Sequence, residues 1–344
     1  MKAATITDVA RRANVHKSTV SRVLNKSDNV SEDTKVRVLK AMSELGFSPN
    51  RAAQTLATGR KKIVGFVYSE QGMSEVAQNP FFSTVVKGIS NFAEANGFNI
   101  LLMTAPGSKF ESILEVVNGQ VLDGLIINSS SGNDEFYKIL NERGVPYVSI
   151  GAPGFDSDAC YVDFDNYEGA YIGTKYLIER GHVRPRLIVN SVHGKLLLHN
   201  QRRIEGFKKA MKDYDLTLDD QSVIEIPLTY EAVERVVKHL CYDCDSIIVS
   251  NEVVAISLLN SLMADSRLSV PRDVSLVAFG DRRFYQFMKP TYTTIHQDVE
   301  WVGEAAARVL WNRIHGEMTE PEQIMAHMTL VEGGTCLTRA PVPK

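Results

Sequence analysis

A short stretch near the start of the chain carries the side chains best suited to recognition chemistry. Lys17 and Arg22 are long hydrogen-bond donors that can reach the O6 and N7 atoms of guanine. Ser18 and Ser21 can serve either a base or a phosphate, and Asn25 lies on the same helix face. This face predicts contact with double-stranded DNA. A solvated polar helix face is the alternative.

Two short helices must position these side chains. The first has apolar residues at helical spacing, namely Ile6, Val9, Ala10 and Ala13. We expect it to span about residues 7–13, with Thr7 as its N-cap. After a break at 14–16, a second helix begins near Lys17 and turns Val20, Val23 and Leu24 inward. Two helices joined by so brief a turn are typical of a helix-turn-helix.

A third helix completes the head. Ser31 is placed as its N-cap, ahead of Glu32 and Asp33 in the first turn. Its inward residues are again at helical spacing: Val38, Ala41, Met42 and Leu45. Gly46 is the expected stop. We therefore assign residues 1–48 to an all-α DNA-binding domain.

Charge and composition agree with a head that meets a polyanion. The chain has 344 residues with 44% hydrophobic content, which excludes a disordered tail or a disulfide mini-protein. Residues 1–62 hold 13 Lys/Arg against five acids, a net charge of +8, so residues 63–344 carry -11. No apolar run is long enough for a membrane span or a secretory signal. Four scattered cysteines fit a reducing compartment, and we expect a cytoplasmic protein.

The head resembles the lactose-repressor (LacI/GalR) family of bacterial transcription regulators. The resemblance lies in residues 4–10 (ATITDVA), 18–25 (STVSRVLN) and 44–50 (ELGFSPN). It implies that Thr5 and Thr19 join the DNA-binding residues. It also implies a homodimer on a palindromic operator, because one head reads only a half-site.

Residues 49–62 follow as a hinge helix and linker. The segment 50–57 has one or two helical turns' length, which is too short to be stable alone. In the family this helix folds on operator DNA and enters the minor groove. The resemblance implies that Leu56 is a wedge between base pairs and that Asn50 and Arg51 contact the backbone or groove floor. A plain interdomain linker is the alternative.

From residue 63 onward, short apolar runs alternate with stretches of helical period. Candidate strands are 63–68, 99–104, 124–128, 147–151, 186–190, 223–226, 246–250 and 275–279. Candidate helices lie near 80–96, 109–119, 133–143, 166–181, 199–213, 230–240, 252–264 and 298–315. This alternation predicts an α/β body of two doubly wound parallel-sheet lobes.

The body also resembles the family and, through it, periplasmic sugar-binding proteins. The matching segments are 79–82, 121–126, 203–207, 270–275 and 293–297. The resemblance implies an effector-binding and dimerisation domain over 63–344. We expect an N-lobe of about 63–160 and 292–322, and a C-lobe of about 161–291 and 323–344. The effector, a sugar or sugar phosphate, is expected in the cleft between them.

Residues just after strands should line this cleft. They are Ser69, Phe81, Phe82, Arg203, Asn251, Glu252, Gly280 and Asp281. Arg203 matches the effector-binding arginine of the family, and Asn251 matches a ligand-bonding position. Alternatives remain: a surface ion pair for Arg203, a cap for Asn251 and a core aromatic for Phe82.

One departure from the family concerns the ligand. Many relatives have Gly-aromatic-Asp-Asp where this chain has Ala278-Phe279-Gly280-Asp281, so an aspartate that commonly contacts the ligand is replaced by Gly280. The segment 191–203 is rich in basic residues and contains no acidic residue. An anionic effector such as a sugar phosphate is one hypothesis, and a solvated basic loop is the other.

Other chemistry finds little support. Cys241 and Cys244 with His239 lack a second pair at metal-site spacing, so we expect no metal, and no nucleotide fingerprint or catalytic triad predicts a cofactor or an enzyme. The expected function is an effector-controlled transcriptional repressor of carbohydrate genes. A solute-binding protein and a sugar-handling enzyme are the competing classes. Whether the effector releases or recruits the repressor stays open.

Overall fold

A computed structural model describes residues 4–24, 29–47, 61–68, 80–105, 110–128, 134–153, 159–191, 194, 196–239, 243–264, 268–318 and 320–339. The chain divides into two compact units, Met1–Lys61 and Lys62–Lys344. We call the first unit the head and the second the body. In the described residues no helix is both long and apolar enough to cross a membrane.

The described part of the head contains three helices: α1 (Ile6–Ala13), α2 (Lys17–Leu24) and α3 (Glu32–Leu45). Their apolar faces meet in one small core in which Val9, Val20 and Val38 are fully buried. Gly46 ends α3 in the left-handed conformation at φ +59°, as predicted. The helix-turn-helix predicted from the sequence is therefore confirmed.

The start of α1 differs from the prediction. Thr5, not Thr7, is the N-cap, because its hydroxyl accepts the backbone N–H of Asp8 at 3.3 Å. The Asp8 carboxylate in turn accepts the backbone N–H of Thr5 at 3.0 Å. This reciprocal pair satisfies two helix-end donors at once, which a cap at Thr7 cannot do.

The first lobe of the body is built on a six-stranded, all-parallel sheet. Its strands are β1 (Ile63–Tyr68), β2 (Asn99–Thr104), β3 (Gly124–Asn128), β4 (Tyr147–Ile150), β5 (Tyr161–Phe164) and β11 (Gln323–Ala326). They lie in the order β11-β5-β4-β3-β1-β2, with Ile63 in register with Asn99. The helices of this lobe are α4 (Pro80–Asn96), α5 (Glu111–Asn118), α6 (Asp134–Glu142) and α12 (Val299–His315).

The second lobe repeats this plan. Its strands are β6 (Pro185–Ser191), β7 (Val223–Pro227), β8 (Ser246–Val249), β9 (Ser275–Gly280), β10 (Thr293–His296) and β12 (Thr329–Val331). Their order is β12-β10-β9-β8-β6-β7, and only β12 runs antiparallel, against β10. The helices are α7 (Asn166–Glu179), α8 (Leu198–Asp213), α9 (Tyr230–His239), α10 (Glu252–Ala264) and α11 (Arg282–Tyr285).

The expected lobe boundaries are wrong at the crossovers. Strand β5 at 161–164 and strand β11 at 323–326 were expected in the C-lobe, but both belong to the first sheet. Strand β10 at 293–296 was expected in the N-lobe, but it pairs with β9 in the second sheet. The chain therefore crosses between lobes after β5, after β10 and after β11. Each of these strands is only four residues long, so none contains an apolar run that would predict it.

Glycines bring pairs of helices close together in both lobes. A Cβ on Gly88 of α4 would lie 2.0 Å from the carbonyl oxygen of Glu300 in α12. A Cβ on Gly206 of α8 would lie 2.0 Å from the carbonyl oxygen of Tyr167 in α7. Only glycine allows backbones to approach so closely. Each lobe thus has one tightly packed helix pair against its sheet.

A buried acid organises the amino-terminal end of the second sheet. Asp245 accepts the backbone N–H groups of Val183 at 2.7 Å and Arg184 at 3.0 Å, and the hydroxyl of Ser246 at 2.9 Å. The ring of His182, which is fully buried, lies 3.4 Å from the same carboxylate. Burial by itself raises the pKa of Asp245, but these hydrogen bonds outweigh it and lower the pKa to about 2.

Candidate functional site

The exposed face of α2 carries the predicted recognition residues. Lys17, Ser18 and Arg22 are exposed, whereas Thr19 and Ser21 are half-buried. Neither Lys17 nor Arg22 pairs with an acid among the described residues. By contrast, Arg11, Arg12, Lys35 and Arg37 of the other two helices have carboxylate partners, whereas Lys40 of α3 has none among the described residues. Lys17 and Arg22 are therefore available to a phosphate or a base edge.

His16, which no sequence pattern indicated, orders the start of α2. Its Nδ1 lies 2.8 Å from the Ser18 hydroxyl and accepts the backbone N–H of Ser18 at 3.3 Å. Thr5, the other predicted DNA contact in the described head, is exposed but bonded to Asp8. Asn25, Asn50, Arg51 and Leu56 lie outside the described residues.

Arg203 is the centre of the polar cluster in the body. It extends from α8, is 5% exposed, and stacks its guanidinium 4.0 Å from the ring centroid of Phe279. Its Nε donates to the side-chain oxygen of Asn166 at 2.9 Å, and Nη1 donates to the carbonyl of Ser250 at 2.5 Å. Burial lowers its pKa to about 10, against the nearby negative charges of Glu252 and Asp163. The arginine is thus held rigidly at the carboxyl end of the second sheet.

Two acids, the half-buried Asp163 and the buried Glu252, supply the counter-charge of Arg203. Asp163 on β5 accepts the backbone N–H groups of Ala152 at 2.9 Å and Phe164 at 2.7 Å. Glu252, the first residue of α10, is 7% exposed, and its Oε1 has no partner among the described residues. Burial raises the pKa of both carboxyl groups, although the positive charge of Arg203 opposes the rise.

Glu252 occupies the space that a side chain at position 280 would need. Gly280 has φ +141°, and a Cβ there would lie 2.5 Å from both Cγ and Oε1 of Glu252. Any other residue at 280 must therefore displace Glu252. The glycine noted in the sequence and the buried glutamate are two parts of one arrangement.

Asp281 does not present a free oxygen to the cleft. It is fully buried, and both of its carboxylate oxygens accept from Arg283, with Nε contacts of 3.0 and 2.9 Å. Arg283 also donates to Glu300 of the first lobe, which accepts from Lys87 at 2.9 Å. In this structure Asp281 therefore positions an arginine that links the two lobes, and its place in the cleft wall stays a prediction.

The remaining predicted cleft residues have structural partners. Asn251 caps α10, because its side-chain oxygen accepts the backbone N–H groups of Val253 at 2.8 Å and Val254 at 3.2 Å. Phe82 is half-buried and stacks on Phe66, with ring centroids 5.8 Å apart. Phe81 is half-buried against the same core. Ser69 lies outside the described residues.

A cavity of about 730 Å³ opens beside this cluster, between β5 and β11 of the first lobe and α8 of the second. Residues of its wall are Asp163, Asp165, Asn166, His199, Arg202 and Glu205. Desolvation and the positive charge of Arg203 lower the pKa of His199 to about 3, so its ring is uncharged at neutral pH. No sequence signal indicated Asp163 or Asn166, because they lie on and directly after β5, a strand that was not predicted.

A helix-turn-helix head and a two-lobed body with a polar cleft define a class of protein: DNA-binding regulators controlled by a small ligand. Family comparisons agree. Residues 5–50 match the model of bacterial regulatory proteins of the lacI family, and residues 174–336 match a periplasmic binding protein-like domain.

Curated relatives match almost the whole chain. It is 33% identical over 338 residues to the HTH-type transcriptional regulator CelR of Thermobifida fusca, covering 96% of this chain and 98% of that protein. It is 28% identical over 334 residues to the HTH-type transcriptional repressor PurR of Vibrio vulnificus, covering 95% of this chain and 97% of that protein. The chain belongs to the LacI family of bacterial transcription regulators.

Solved structures have the same architecture. A complex of the transcriptional regulator CelR with cellobiose aligns with a TM-score of 0.73 at 30% identity, covering 96% of this chain and 99% of that one. A lac repressor dimer bound to operator and the anti-inducer ONPF aligns with a TM-score of 0.80 at 23% identity, covering 98% of this chain and 100% of that one. The predicted fold class is thereby confirmed.

Proposed function

We propose that this protein is a cytoplasmic homodimer that represses carbohydrate-metabolism genes by binding a palindromic operator, under the control of a sugar-class effector in the interlobe cleft. The observation that carries the DNA-binding part is the exposed face of α2. Its two cations, Lys17 and Arg22, have no acid partner among the described residues, whereas the paired arginines lie on the neighbouring helices. We assign it no catalytic role.

Recognition by this face divides between its residues. Arg22 reads a guanine edge, and Lys17, Ser18, Thr19 and Ser21 complete the contacts in the major groove. Thr5 and Asn25 contact the same half-site. Asn50, Arg51 and Leu56 act in the minor groove, with Leu56 as the wedge.

The cleft supports control by a small molecule. Arg203 is fixed between Asn166, at the start of the second lobe, and Ser250, at the carboxyl end of β8. Three crossovers connect the lobes, so a ligand bound between them can change their relative angle. The relative solved with cellobiose supports a saccharide as the class of effector.

The first test is to sequence genomic fragments retained by the purified protein. We expect one palindromic motif, and loss of affinity with rising salt because phosphate contacts release counterions. Arg22→Ala should weaken the specific site by about 1–3 kcal/mol and relax one base preference. Arg37→Ala is the matched control, because Arg37 is exposed but lies near Asp33 on α3. Uniform recovery of fragments by the wild type would contradict sequence-specific repression.

The hinge contribution needs a separate measurement. Leu56→Ala should weaken binding to the operator more than binding to random DNA, because a wedge acts only where the minor groove opens. Equal loss on both DNAs would count against the wedge.

A further inference from the structure

Arg283 joins the loop that follows β9, in the second lobe, to the first turn of α12 in the first lobe. Its Nε donates to Asp281 at 3.0 Å, and its Nη1 donates to Glu300 at 2.5 Å. Asp281 is fully buried, and the Glu300 side chain is only 21% exposed, so water screens this ion pair incompletely. Because a buried carboxylate holds the guanidinium from one side, the arginine keeps its orientation toward Glu300.

Glu300 extends this connection to α4. Its carboxylate accepts from Lys87 at 2.9 Å and from the Asn91 amide at 3.0 Å, and these two residues lie one turn apart on α4. Hydrogen bonds from Lys87 and Arg283 lower the pKa of Glu300, so it is ionised at neutral pH. The backbones also meet here, since a Cβ on Gly88 would lie 2.0 Å from the carbonyl oxygen of Glu300. Both charge and close packing therefore hold α4 against the first turn of α12.

The loop after β9 also contacts the polar cluster at the cleft. Asn166, in the wall of the cavity, accepts from Arg203 at 2.9 Å, and the charge of Arg203 acts on the buried Glu252. A Cβ at Gly280 would lie 2.5 Å from Glu252, so the glutamate packs directly against the backbone of the loop. A ligand that shifts Asn166 or Arg203 therefore changes the packing at Gly280.

Two hydrogen bonds from backbone N–H groups tie this loop to the crossover that leads from β10 into α12. The N–H of Gln297 donates to the carbonyl of Gly280 at 3.0 Å. The N–H of Arg282 donates to Nδ1 of His296 at 3.3 Å. The loop and the start of α12 are thus joined by the main chain as well as by the Arg283 side chain.

We propose that Arg283 is a positioning residue in the regulation of this protein, and that it carries a displacement at Gly280 through Glu300 to α4. This rests on the proposed function, because it concerns how an effector in the cleft acts on the rest of the chain. Coupling between two sites is a free-energy difference. A change at Gly280 therefore alters the local stability of α4 as long as the Arg283 contact is intact.

Hydrogen exchange on the full chain tests this without an identified effector, because Gly280→Ala itself displaces Glu252. We expect Gly280→Ala to speed up exchange of the amides of 84–91 in α4 by about two- to fivefold, the range for a partly exposed ion pair. Arg283→Gln alone should speed up the same amides, and adding Gly280→Ala should then change them little further. Glu300→Gln should behave as Arg283→Gln does. Glu252→Ala perturbs the same contact from its other side and is the second perturbation.

Arg282→Gln is the matched control. Arg282 is an exposed arginine on the same helix, and it has no acid partner among the described residues. In this background α4 should respond to Gly280→Ala as it does in the wild type. Arg283→Lys should restore part of the response, because lysine keeps the charge but loses the fork that contacts two carboxylates.

Two results would overturn the proposal: unchanged exchange in 84–91 when Gly280→Ala or Glu252→Ala is introduced into the wild type, or an equal change with and without Arg283. Operator binding of the same samples, measured by fluorescence anisotropy, is a separate readout. Absence of sequence-specific binding by the wild type would refute the proposed function. Specific binding together with either negative exchange result would refute only the route through Arg283.

Discussion

Strand β8 has a buried acid near each end: Asp245 directly before Ser246, and Glu252 three residues after Val249. At the amino-terminal end, Asp245 is surrounded by donors and its pKa is lowered to about 2. At the cleft end, one oxygen of Glu252 has no described partner, and burial raises its pKa. The acid at the amino-terminal end is fully paired and stabilises the fold, whereas the acid at the other end is buried at an energetic cost beside the proposed effector cleft.

Of the variants considered at the two ends of β8, Arg203→Ala should have the largest effect on stability. Arg203→Ala leaves Asp163 and Glu252 without their cation. We therefore expect the free energy of unfolding to fall by about 3 kcal/mol, and effector binding to become too weak to measure. Arg186→Ala is the control, because Arg186 is a buried arginine at the opposite end of the sheet and pairs with Asp219. Urea unfolding and sugar titration of both variants test this. Loss of sugar binding in both Arg203→Ala and Arg186→Ala would contradict the assignment of effector binding to the cleft end of the sheet.

Asp245→Asn should lower the free energy of unfolding by about 2 kcal/mol and leave effector binding intact. The pKa of Asp245 is lowered from 3.8 to about 2 in the folded chain, so its contribution is complete above pH 4 and is lost as the pH falls toward 2. Urea unfolding between pH 7 and pH 2 measures both effects. A difference between variant and wild type that persists at pH 2 would argue against the charge as the cause.

Gly280→Ala should cost about 1–2 kcal/mol and weaken effector binding. The alanine Cβ must displace Glu252, and φ +141° strains any L side chain. Gly119→Ala is the control, because its φ is -70° and the nearest atoms are 3.4 Å from the added Cβ. Thermal unfolding with and without sugar distinguishes the two. Equal sugar affinity in Gly280→Ala and wild type would contradict the contact with Glu252.

Glu252→Gln should have the smallest effect, and of opposite sign to that of Asp245→Asn. A raised folded-state pKa means that stability falls as the pH rises above about 4.5, so removing the charge should raise the free energy of unfolding at pH 7 by less than about 1 kcal/mol. The gain should vanish near pH 4. If Glu252→Gln instead lowers the free energy of unfolding at pH 7, Glu252 stabilises the fold as Asp245 does, and the predicted contrast between them is wrong.

The sequence was sufficient for elements with a strong apolar period. The head helices follow from spacings such as Val38 to Ala41, and eight strands of the body follow from apolar runs such as 63–68. Both signals arise because one face or both faces of the element must be buried. The polar face of α2, which we propose contacts DNA, follows from the same reasoning, since its polar residues oppose the buried Val20.

The crossover strands and the cleft partners did not follow from the sequence. Strand β12 has three residues, and β5 alternates buried Val162 and Phe164 with half-buried residues, a pattern too brief to distinguish from a loop. Likewise, nothing local indicates that Arg283 also pairs with Glu300, because that contact depends on how the lobes meet. Tertiary contacts decided these positions.

The interleaved crossovers also determine the order in which parts of the chain can fold during synthesis. The first sheet lacks β11, and the second lacks β10 and β12, until the segment from Thr293 to Val331 has been made. The head is a continuous stretch and can fold as soon as it leaves the ribosome. Both lobes, in contrast, must wait with open sheet edges, which are exposed to misassembly and proteolysis. Only finished chains therefore possess a cleft, so regulation by the effector begins after translation has passed Val331.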